Sequence, residues 1–222
     1  MTRIAVLASG EGSNLQAILE HLDALGARAS GAVALVVSDR GTAYALERAR
    51  LRGIAAVHVA RDASPDVLEQ TLREHDIELV ALAGYLRLVP AAMVRRWAGR
   101  MLNVHPALLP AFGGQGMYGN RVHEAVIASG ARLSGATVHF VDEQFDRGAI
   151  IAQWPVPVPL GDNAIALAAR VLALEHRIYP WCVEAVASGA VRLDGDGRVH
   201  GQLPYEFSRF AVGGEHPFVP DV

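Results

Sequence analysis

One short stretch of the chain carries an amide and an imidazole at a spacing that suits chemistry. Asn103 and His105 stand two residues apart in the apolar run that begins at Met101, and Pro106 follows directly. Side chains two apart in an extended chain point to the same face, so the two groups can converge on one atom. Pro106 restricts His105 to extended geometry. Together an amide and an imidazolium could stabilise a developing oxyanion, although a histidine at a strand end more often has a structural role.

A carboxylate further along the chain is a second candidate. Asp146 lies in the acidic turn that follows the strand-like segment 137–141. Its charge could orient His105 and raise the pKa of the imidazole, which would keep it protonated. The alternative is a solvated turn, since Asp142 and Glu143 are also residues that turns favour. The pattern lacks an activated serine or cysteine, so it argues against a covalent acyl-enzyme and favours direct attack by a nucleophile that a substrate supplies.

The glycine-rich loop near the N-terminus is the third candidate. Residues 9–14 read Ser-Gly-Glu-Gly-Ser-Asn and separate an apolar strand from a helix. Gly12 allows close backbone approach, Ser13 and Asn14 add polar groups, and a helix N-terminus attracts anions. A dinucleotide fingerprint requires glycine where the chain has Leu15, so a phosphomonoester fits better than a pyrophosphate. A plain strand-to-helix turn is the alternative.

Alternating strand and helix patterns position these groups. Apolar runs rich in β-branched residues predict strands at 3–8, 33–38, 56–59, 77–83 and 101–104. This alternation predicts an α/β fold with a doubly wound, mostly parallel sheet, which binds ligands at the carboxyl ends of its strands. The glycine loop, the segment 84–87, Asn103 and His105 all fall at such ends.

The pattern changes beyond the fifth strand. Residues 111–120 hold four glycines and predict a mobile loop. Segments 134–141 and 150–158 alternate polar and apolar residues, which predicts an antiparallel pair of strands. A long helix is predicted over residues 163–188, kinked or divided at Pro180. We expect residues 1–193 to form the catalytic domain, and residues 194–222 to form a tail packed on the surface.

Composition excludes several functional classes. The net charge is −3 and the basic residues are all arginine, so no bulk basic field argues for nucleic acid, and lysine-based Schiff-base chemistry is excluded. Cys182 is the one cysteine, which rules out a disulfide framework or a zinc cluster. The sequence shows no signal-peptide pattern and no apolar run of membrane-spanning length. These features predict a cytoplasmic protein that binds neither nucleic acid nor membrane.

Four motifs together closely resemble the folate-dependent formyltransferase superfamily, and within it the phosphoribosylglycinamide formyltransferases. They are residues 9–18, 82–87, 102–110, and 137–141 with 146–148. The resemblance implies a Rossmann-like formyltransferase fold with an antiparallel C-terminal extension. It also implies transfer of a formyl group from the co-substrate 10-formyltetrahydrofolate to the glycine amine of glycinamide ribonucleotide, in purine biosynthesis and without a metal.

The resemblance further implies roles for individual residues. The catalytic residues are Asn103, His105 and Asp146. The residues that hold the ribonucleotide are Gly12, Ser13, Asn14 and Glu175. The residues that hold the folate are Arg61, Leu86, Arg87, Leu88, Val89, Asn103, Val141, Asp142 and Asp146.

Three other functions fit part of this pattern. Methionyl-tRNA formyltransferase shares the Asn-x-His and Asp residues but carries a further C-terminal domain, and too little chain follows Leu193. A formyltetrahydrofolate hydrolase resembles the core but usually adds an N-terminal regulatory domain, whereas the first strand here begins at Arg3. A non-catalytic nucleotide-binding protein would leave Asn103, His105 and Asp146 unexplained. The expected partners are two small molecules, and a homodimer is left open.

Overall fold

The fold is described by a computed structural model over residues 1–203; the predicted surface tail lies mostly outside these residues, from 204 to 222. The main sheet contains β1 Thr2–Leu7, β2 Gly31–Ser38, β3 Ala55–His58, β4 Leu79–Leu82, β5 Met101–His105, β6 Leu133–Phe140 and β7 Ile150–Pro157. The helices are α1 Ser13–Leu25, α2 Tyr44–Leu51, α3 Pro65–Glu74, α4 Ala91–Arg96, α5 Asn120–Ser129 and α6 Ala164–Ala187. A small hairpin of β8 Val191–Leu193 and β9 Val199–Gly201 follows.

The main sheet is parallel over most of its width. The strand order is β3-β2-β1-β4-β5-β6-β7, and the pairs from β3 to β5 are parallel. β6 pairs antiparallel with β5, and β7 antiparallel with β6. The doubly wound, mostly parallel sheet and its antiparallel extension are therefore confirmed. The chain order reverses between β1 and β4, which is where sheets of this kind bind ligands.

The sheet is buried on both faces, which explains its continuous apolar runs. In β1, Ile4 and Val6 pack into one core with α1 and α6, whereas Ala5 and Leu7 pack into a second core with α3 and α4. Each of these four side chains is fully buried. Successive side chains of a strand point to opposite faces, so a strand between two helix layers must be apolar at every position.

Helix α6 packs on the same face of the sheet as α1. Pro180 lies inside α6, which continues to Ala187, so the proline does not divide the helix as one sequence-based expectation had it. Its neighbours Tyr179 and Val183 are fully buried, and this packing offsets the hydrogen bond that a proline removes. The Tyr179 hydroxyl donates to the Leu82 carbonyl at the end of β4 (2.9 Å). No helix within residues 1–203 combines the length and apolar character needed to cross a membrane.

Candidate active site

A cleft of about 390 Å³ opens at the carboxyl ends of β1, β4 and β5. Its walls are the glycine loop, the segment 82–89, the end of β5, the loop 114–120 and the turn after β6. Every residue that the sequence assigned to catalysis or binding lines this cleft, except Arg61. The topology therefore brings together three motifs that lie far apart in the chain.

The end of β5 holds the imidazole in a defined tautomer. His105 is almost fully buried, and its Nε2 lies 2.9 Å from the Phe112 carbonyl. A carbonyl oxygen only accepts hydrogen bonds, so Nε2 carries a proton and Nδ1 is the nitrogen that titrates. Nδ1 lies 3.5 Å from Oδ2 of Asp146, an electrostatic contact rather than a good hydrogen bond. Nδ1 is thus available to a bound substrate.

His105 was expected to be protonated, and the structure contradicts this expectation. The carboxylate of Asp146 raises the pKa of His105, as the sequence predicted, and so does the Phe112 carbonyl. Burial lowers the pKa, however, and is the larger effect, so the pKa lies below its ordinary value. The imidazole is therefore neutral at neutral pH in the free protein. Negative charge that develops beside it during a reaction would favour its protonation.

His139 is a site residue for which no role was predicted from the sequence. Its Nδ1 donates to the Phe140 carbonyl (2.7 Å), which leaves Nε2 as an acceptor 3.2 Å from Nδ2 of Asn103. Burial lowers the pKa of His139 and keeps the ring neutral. One amide hydrogen of Asn103 is thus directed to His139, and the second is left for a ligand in the cleft. The antiparallel pairing of Asn103 with His139 is the signal that would have identified it.

Backbone geometry aims Asp146 at the histidine. Asp146 has φ 55°, a left-handed conformation that aspartate tolerates better than most residues. Its Oδ2 accepts a hydrogen bond from the Gly114 backbone N–H (2.9 Å). The loop 111–120, which was predicted to be mobile, therefore contacts both catalytic side chains. The Phe112 carbonyl binds His105, and the Gly114 N–H binds Asp146.

The turn that carries Asp146 depends on Gly148. A Cβ at this position would lie 1.7 Å from the Phe140 carbonyl oxygen, which belongs to the backbone of β6 and cannot easily move. We expect Gly148→Ala to destabilise the protein by about 3 kcal/mol and lower the melting temperature by about 10 °C, because the turn must shift. Catalytic turnover should fall as well, since Asp146 moves with it. Gly195→Ala, where a Cβ meets no atom, is the matched control for calorimetry. Equal melting temperatures for the two variants would contradict this assignment.

The glycine loop presents the N-terminus of α1 to the cleft. Gly12 has φ 73°, and a Cβ there would lie 2.8 Å from Cβ of Ala45, so only glycine fits. Arg48 fixes the loop from outside by donating from Nε to the Glu11 carbonyl (2.7 Å). The first backbone N–H groups of α1, beginning at Ser13, have no partner within the helix and can bind an anion.

A buried carboxyl lies beside this loop. Glu175 of α6 is 7% exposed and accepts a hydrogen bond from Nδ2 of Asn14 (2.7 Å). Burial raises the pKa of Glu175 to about 7, and the bond from Asn14 opposes this only in part. The structure thus brings together two residues that the sequence assigned to the same ligand. It also places there a carboxyl that titrates near neutral pH.

Another wall of the cleft is apolar. We call residues 84–89 the apolar wall; its Leu86 and Leu88 side chains are 42% and 54% exposed, and they line the cleft. Arg87 anchors the apolar wall by donating to the carbonyls of Ala60 and Ala63 at 3.0 Å each. Exposed leucines along a cleft favour a flat, largely apolar ligand.

Arg61 is the predicted site residue that the cleft does not contain. Its Nε donates to Oδ2 of Asp39 at 2.6 Å, and its side chain, in the loop between β3 and α3, is half exposed. The contact of Arg61 with folate that the resemblance implied stays a prediction. Asp39 was not predicted to be the partner of Arg61, because nothing in the sequence indicates that Asp39 is buried.

Sequence comparisons relate the chain to one group of proteins. A family model described as formyl transferase matches residues 2–183. The protein of Vigna unguiculata named phosphoribosylglycinamide formyltransferase, chloroplastic, is 44% identical over 201 residues, which are 88% of this chain and 64% of that protein. The phosphoribosylglycinamide formyltransferase of Escherichia coli (strain K12) is 39% identical over 197 residues, which are 86% of this chain and 89% of that protein.

Structure comparison gives the same result. The crystal structure of glycinamide ribonucleotide transformylase 1 from Symbiobacterium toebii superimposes with a TM-score of 0.81 at 43% identity. The match covers 90% of this chain and 93% of that one. The chain thus spans less than two thirds of the Vigna unguiculata protein but most of the bacterial structure.

Proposed function

The chain belongs to the formyl transferase family, and on that premise we propose that it transfers the formyl group of 10-formyltetrahydrofolate to the glycine amine of glycinamide ribonucleotide. The observation that carries this proposal is the cluster of Asn103, His105 and Asp146 in one cleft with a glycine loop and an apolar wall. The loop suits a phosphomonoester and the wall suits a pterin, so the two substrates would meet at the cluster. The reaction is one of purine biosynthesis.

The ribonucleotide half of the cleft is built from α1 and α6. We assign the phosphate to the backbone N–H groups and hydroxyl at Gly12, Ser13 and Asn14, since the chain offers no lysine. Glu175 reaches the same end of the cleft through Asn14 and can accept a hydrogen bond from the glycinamide part. The folate half is assigned to the apolar wall, namely Leu86, Arg87, Leu88 and Val89, together with Val141 and Asp142 after β6.

The reaction is a direct attack. The neutral amine adds to the formyl carbon, and the carbonyl oxygen takes up negative charge. The free amide hydrogen of Asn103 and the Nδ1 side of His105 stabilise that charge. The oxyanion raises the proton affinity of His105, so the ammonium formed by the attack gives one proton to Nδ1 as the charge develops. Asp146 stabilises the resulting imidazolium.

The proton balance closes within the two substrates. The amine becomes an ammonium when it attacks, and the leaving folate nitrogen requires one proton. Transfer between them, through water or His105, restores a neutral amide product and a neutral folate. Holding both substrates in one cleft supplies much of the rate.

The phosphate assignment is tested at Ser13. Ser13→Glu places a carboxylate where the phosphate would bind, so we expect the KM for the ribonucleotide to rise about a hundredfold. Ser13→Ala removes only the hydroxyl and should raise that KM about fivefold. The KM for the folate should stay within about twofold in both variants, because the apolar wall is unchanged. A ribonucleotide KM unaffected by Ser13→Glu would place the phosphate elsewhere.

The activity itself is tested by a three-way assay. The protein is mixed with 10-formyltetrahydrofolate and either glycinamide ribonucleotide, glycinamide or water. Release of tetrahydrofolate that requires the ribonucleotide supports the proposal. Equal release in water would identify a hydrolase, an alternative that the names of the relatives do not favour. Binding of the ribonucleotide without any release of tetrahydrofolate would support the alternative of a non-catalytic nucleotide-binding protein.

Three expectations from the sequence stay predictions. They are the cytoplasmic compartment, the absence of a metal requirement, and the homodimer that was left open. The proposed reaction needs only its two small-molecule substrates as partners.

A further inference from the structure

The loop that follows β5 is fixed from β6 by one buried hydroxyl. Thr137 lies opposite His105 in the antiparallel pairing of β6 with β5, so the two side chains share a face of the sheet. Thr137 is fully buried, and its hydroxyl donates to the Ala107 carbonyl (2.6 Å). The same oxygen accepts a hydrogen bond from the Leu109 backbone N–H (3.0 Å). One side chain of β6 thus binds two peptide groups of the loop that begins after His105.

Gln153 of β7 completes this network. Its Nε2 donates to the Leu109 carbonyl (2.7 Å) and to Oγ1 of Thr137 (3.0 Å). A hydroxyl has one proton and two lone pairs, and an amide nitrogen has two protons, so every one of these is used. A network that is fully paired holds the backbone more firmly than a partly paired one. We call these four hydrogen bonds of Thr137 and Gln153 the loop clamp.

The loop clamp is connected to His105 and Asp146 through the side chain of Leu109. A Cβ at Gly113 would overlap Cδ2 of Leu109 and would lie 3.2 Å from Cβ of Asp146, so Leu109 packs directly against this glycine. The two residues that flank Gly113 provide the carbonyl bound to His105 and the N–H bound to Asp146. The position of Leu109 therefore fixes the part of the loop that contacts both side chains.

The side chains of the loop clamp lie outside the cleft. Within residues 1–203, the walls of the cleft include His105 but neither Thr137 nor Gln153. Any effect of the clamp on a reaction in the cleft must therefore pass through the loop. The hydrogen bond from Nε2 of His105 to the Phe112 carbonyl decides which ring nitrogen carries the proton, so a displaced carbonyl would leave the tautomer undefined.

We propose that the loop clamp positions His105 for the reaction, because it holds the Phe112 carbonyl against the imidazole and so presents Nδ1 to the substrate. Thr137 and Gln153 are thus positioning residues. The inference rests on the proposed function for the reaction that His105 serves. Without the clamp, both ring nitrogens share the proton, and only some of the molecules present an unprotonated Nδ1. Substrate binding does not involve the clamp, so turnover should fall and affinity should not.

Replacing the Thr137 hydroxyl tests this role. Thr137→Val keeps the shape of the side chain and removes the hydroxyl, so we expect kcat for formyl transfer to fall about tenfold, with the KM for each substrate within about twofold. Thr137→Ser keeps the hydroxyl and should retain kcat within about threefold. Thr71→Val is the matched control, because the buried Thr71 donates to the Val67 carbonyl of its own helix α3 (2.8 Å). Equal kcat values for Thr137→Val and Thr71→Val would overturn the proposal.

Gln153 provides a second variant, which decides the matter if Thr137→Val does not fold. The Gln153 side chain is exposed, so Gln153→Met keeps its length and removes its donors with little effect on the core. We expect kcat to fall about threefold to tenfold. The double variant should lose less than the product of the two single losses, because both changes break one network. An unchanged kcat in Gln153→Met would refute the clamp.

A measurement without substrate keeps the two proposals apart. Nitrogen NMR of the His105 ring in the free protein should show a proton on Nε2 alone in the natural protein and in Thr71→Val, but a mixture of tautomers in Thr137→Val and in Gln153→Met. A lower melting temperature with an unchanged tautomer would show a merely structural role and refute the positioning role. A mixture of tautomers in the variants of a protein that transfers no formyl group would instead refute the proposed function alone.

Discussion

Replacing Asp146 with asparagine is expected to lower kcat for formyl transfer about a thousandfold while the fold stays intact. Asparagine tolerates the left-handed φ of 55° and can still accept the Gly114 N–H through its amide oxygen. What it lacks is the negative charge 3.5 Å from Nδ1 of His105. Because burial already lowers the pKa of His105, the imidazolium depends on that charge, and its loss acts on the step in which the oxyanion forms.

The measurement is kcat at saturating concentrations of both substrates, together with the melting temperature and the folate Kd. His105→Ala should lower kcat by a similar factor, and the double variant should be little worse than either, as expected for groups that act as one unit. Glu143→Gln is the matched control, since it removes a charge from the same turn on an exposed side chain. Turnover near the normal rate in both Asp146→Asn and His105→Ala would sink the mechanism.

The sequence predicted the parts of the site that depend on local pattern. Residues two apart in a strand share a face, so Asn103 and His105 could be paired without any structure. Glycines between a strand and a helix marked the loop at Gly12 in the same way. Asp146 entered through the turn chemistry and the resemblance.

The parts that were missed depend on long-range geometry. The role of His139 rests on its antiparallel pairing with Asn103, and a slip of one residue would turn its side chain to the other face. The partner of Arg61 depends on the burial of Asp39, which follows from how the strand ends pack together. The protonation state of His105 was predicted wrongly for the same reason. The sequence shows the charge of Asp146, which raises the pKa of His105, but not the desolvation that lowers it further.

Glu175 shows most clearly how burial changes the meaning of a residue. The resemblance identified it as a ligand for the substrate, without its protonation state. Burial raises its pKa from 4.5 to about 7, while Nδ2 of Asn14 donates a hydrogen bond to it. An acid whose pKa is raised by folding stabilises the fold below its unfolded pKa, and this contribution is lost as the pH rises through the folded value. A ligand that donates a hydrogen bond would need ionised Glu175, and burial makes this the less stable form in the free protein.

Glu175→Gln should therefore make the free protein more stable at high pH and worse at binding. The shift of Glu175 from 4.5 to about 7 corresponds to about 3 kcal/mol, which the natural protein loses as the pH rises from 4.5 to about 7 and the variant does not. We expect denaturant unfolding to show the variant about 2 to 3 kcal/mol more stable near pH 8 and no more stable near pH 5.

Binding should move in the opposite direction. Above about pH 7 the ionised Glu175 can accept a hydrogen bond from the ribonucleotide, so Glu175→Gln should weaken its Kd about tenfold to a hundredfold, and the difference should narrow below about pH 6. Glu20→Gln, on an exposed residue of α1, is the control for charge. If the unfolding free energies of the natural protein and Glu175→Gln run parallel from about pH 5 to pH 8, the carboxyl does not titrate where its burial requires. In the free protein, ionised Glu175 lowers the free energy of unfolding. A ligand that donates a hydrogen bond to this carboxylate offsets that loss, so the site favours ligands that carry such a donor.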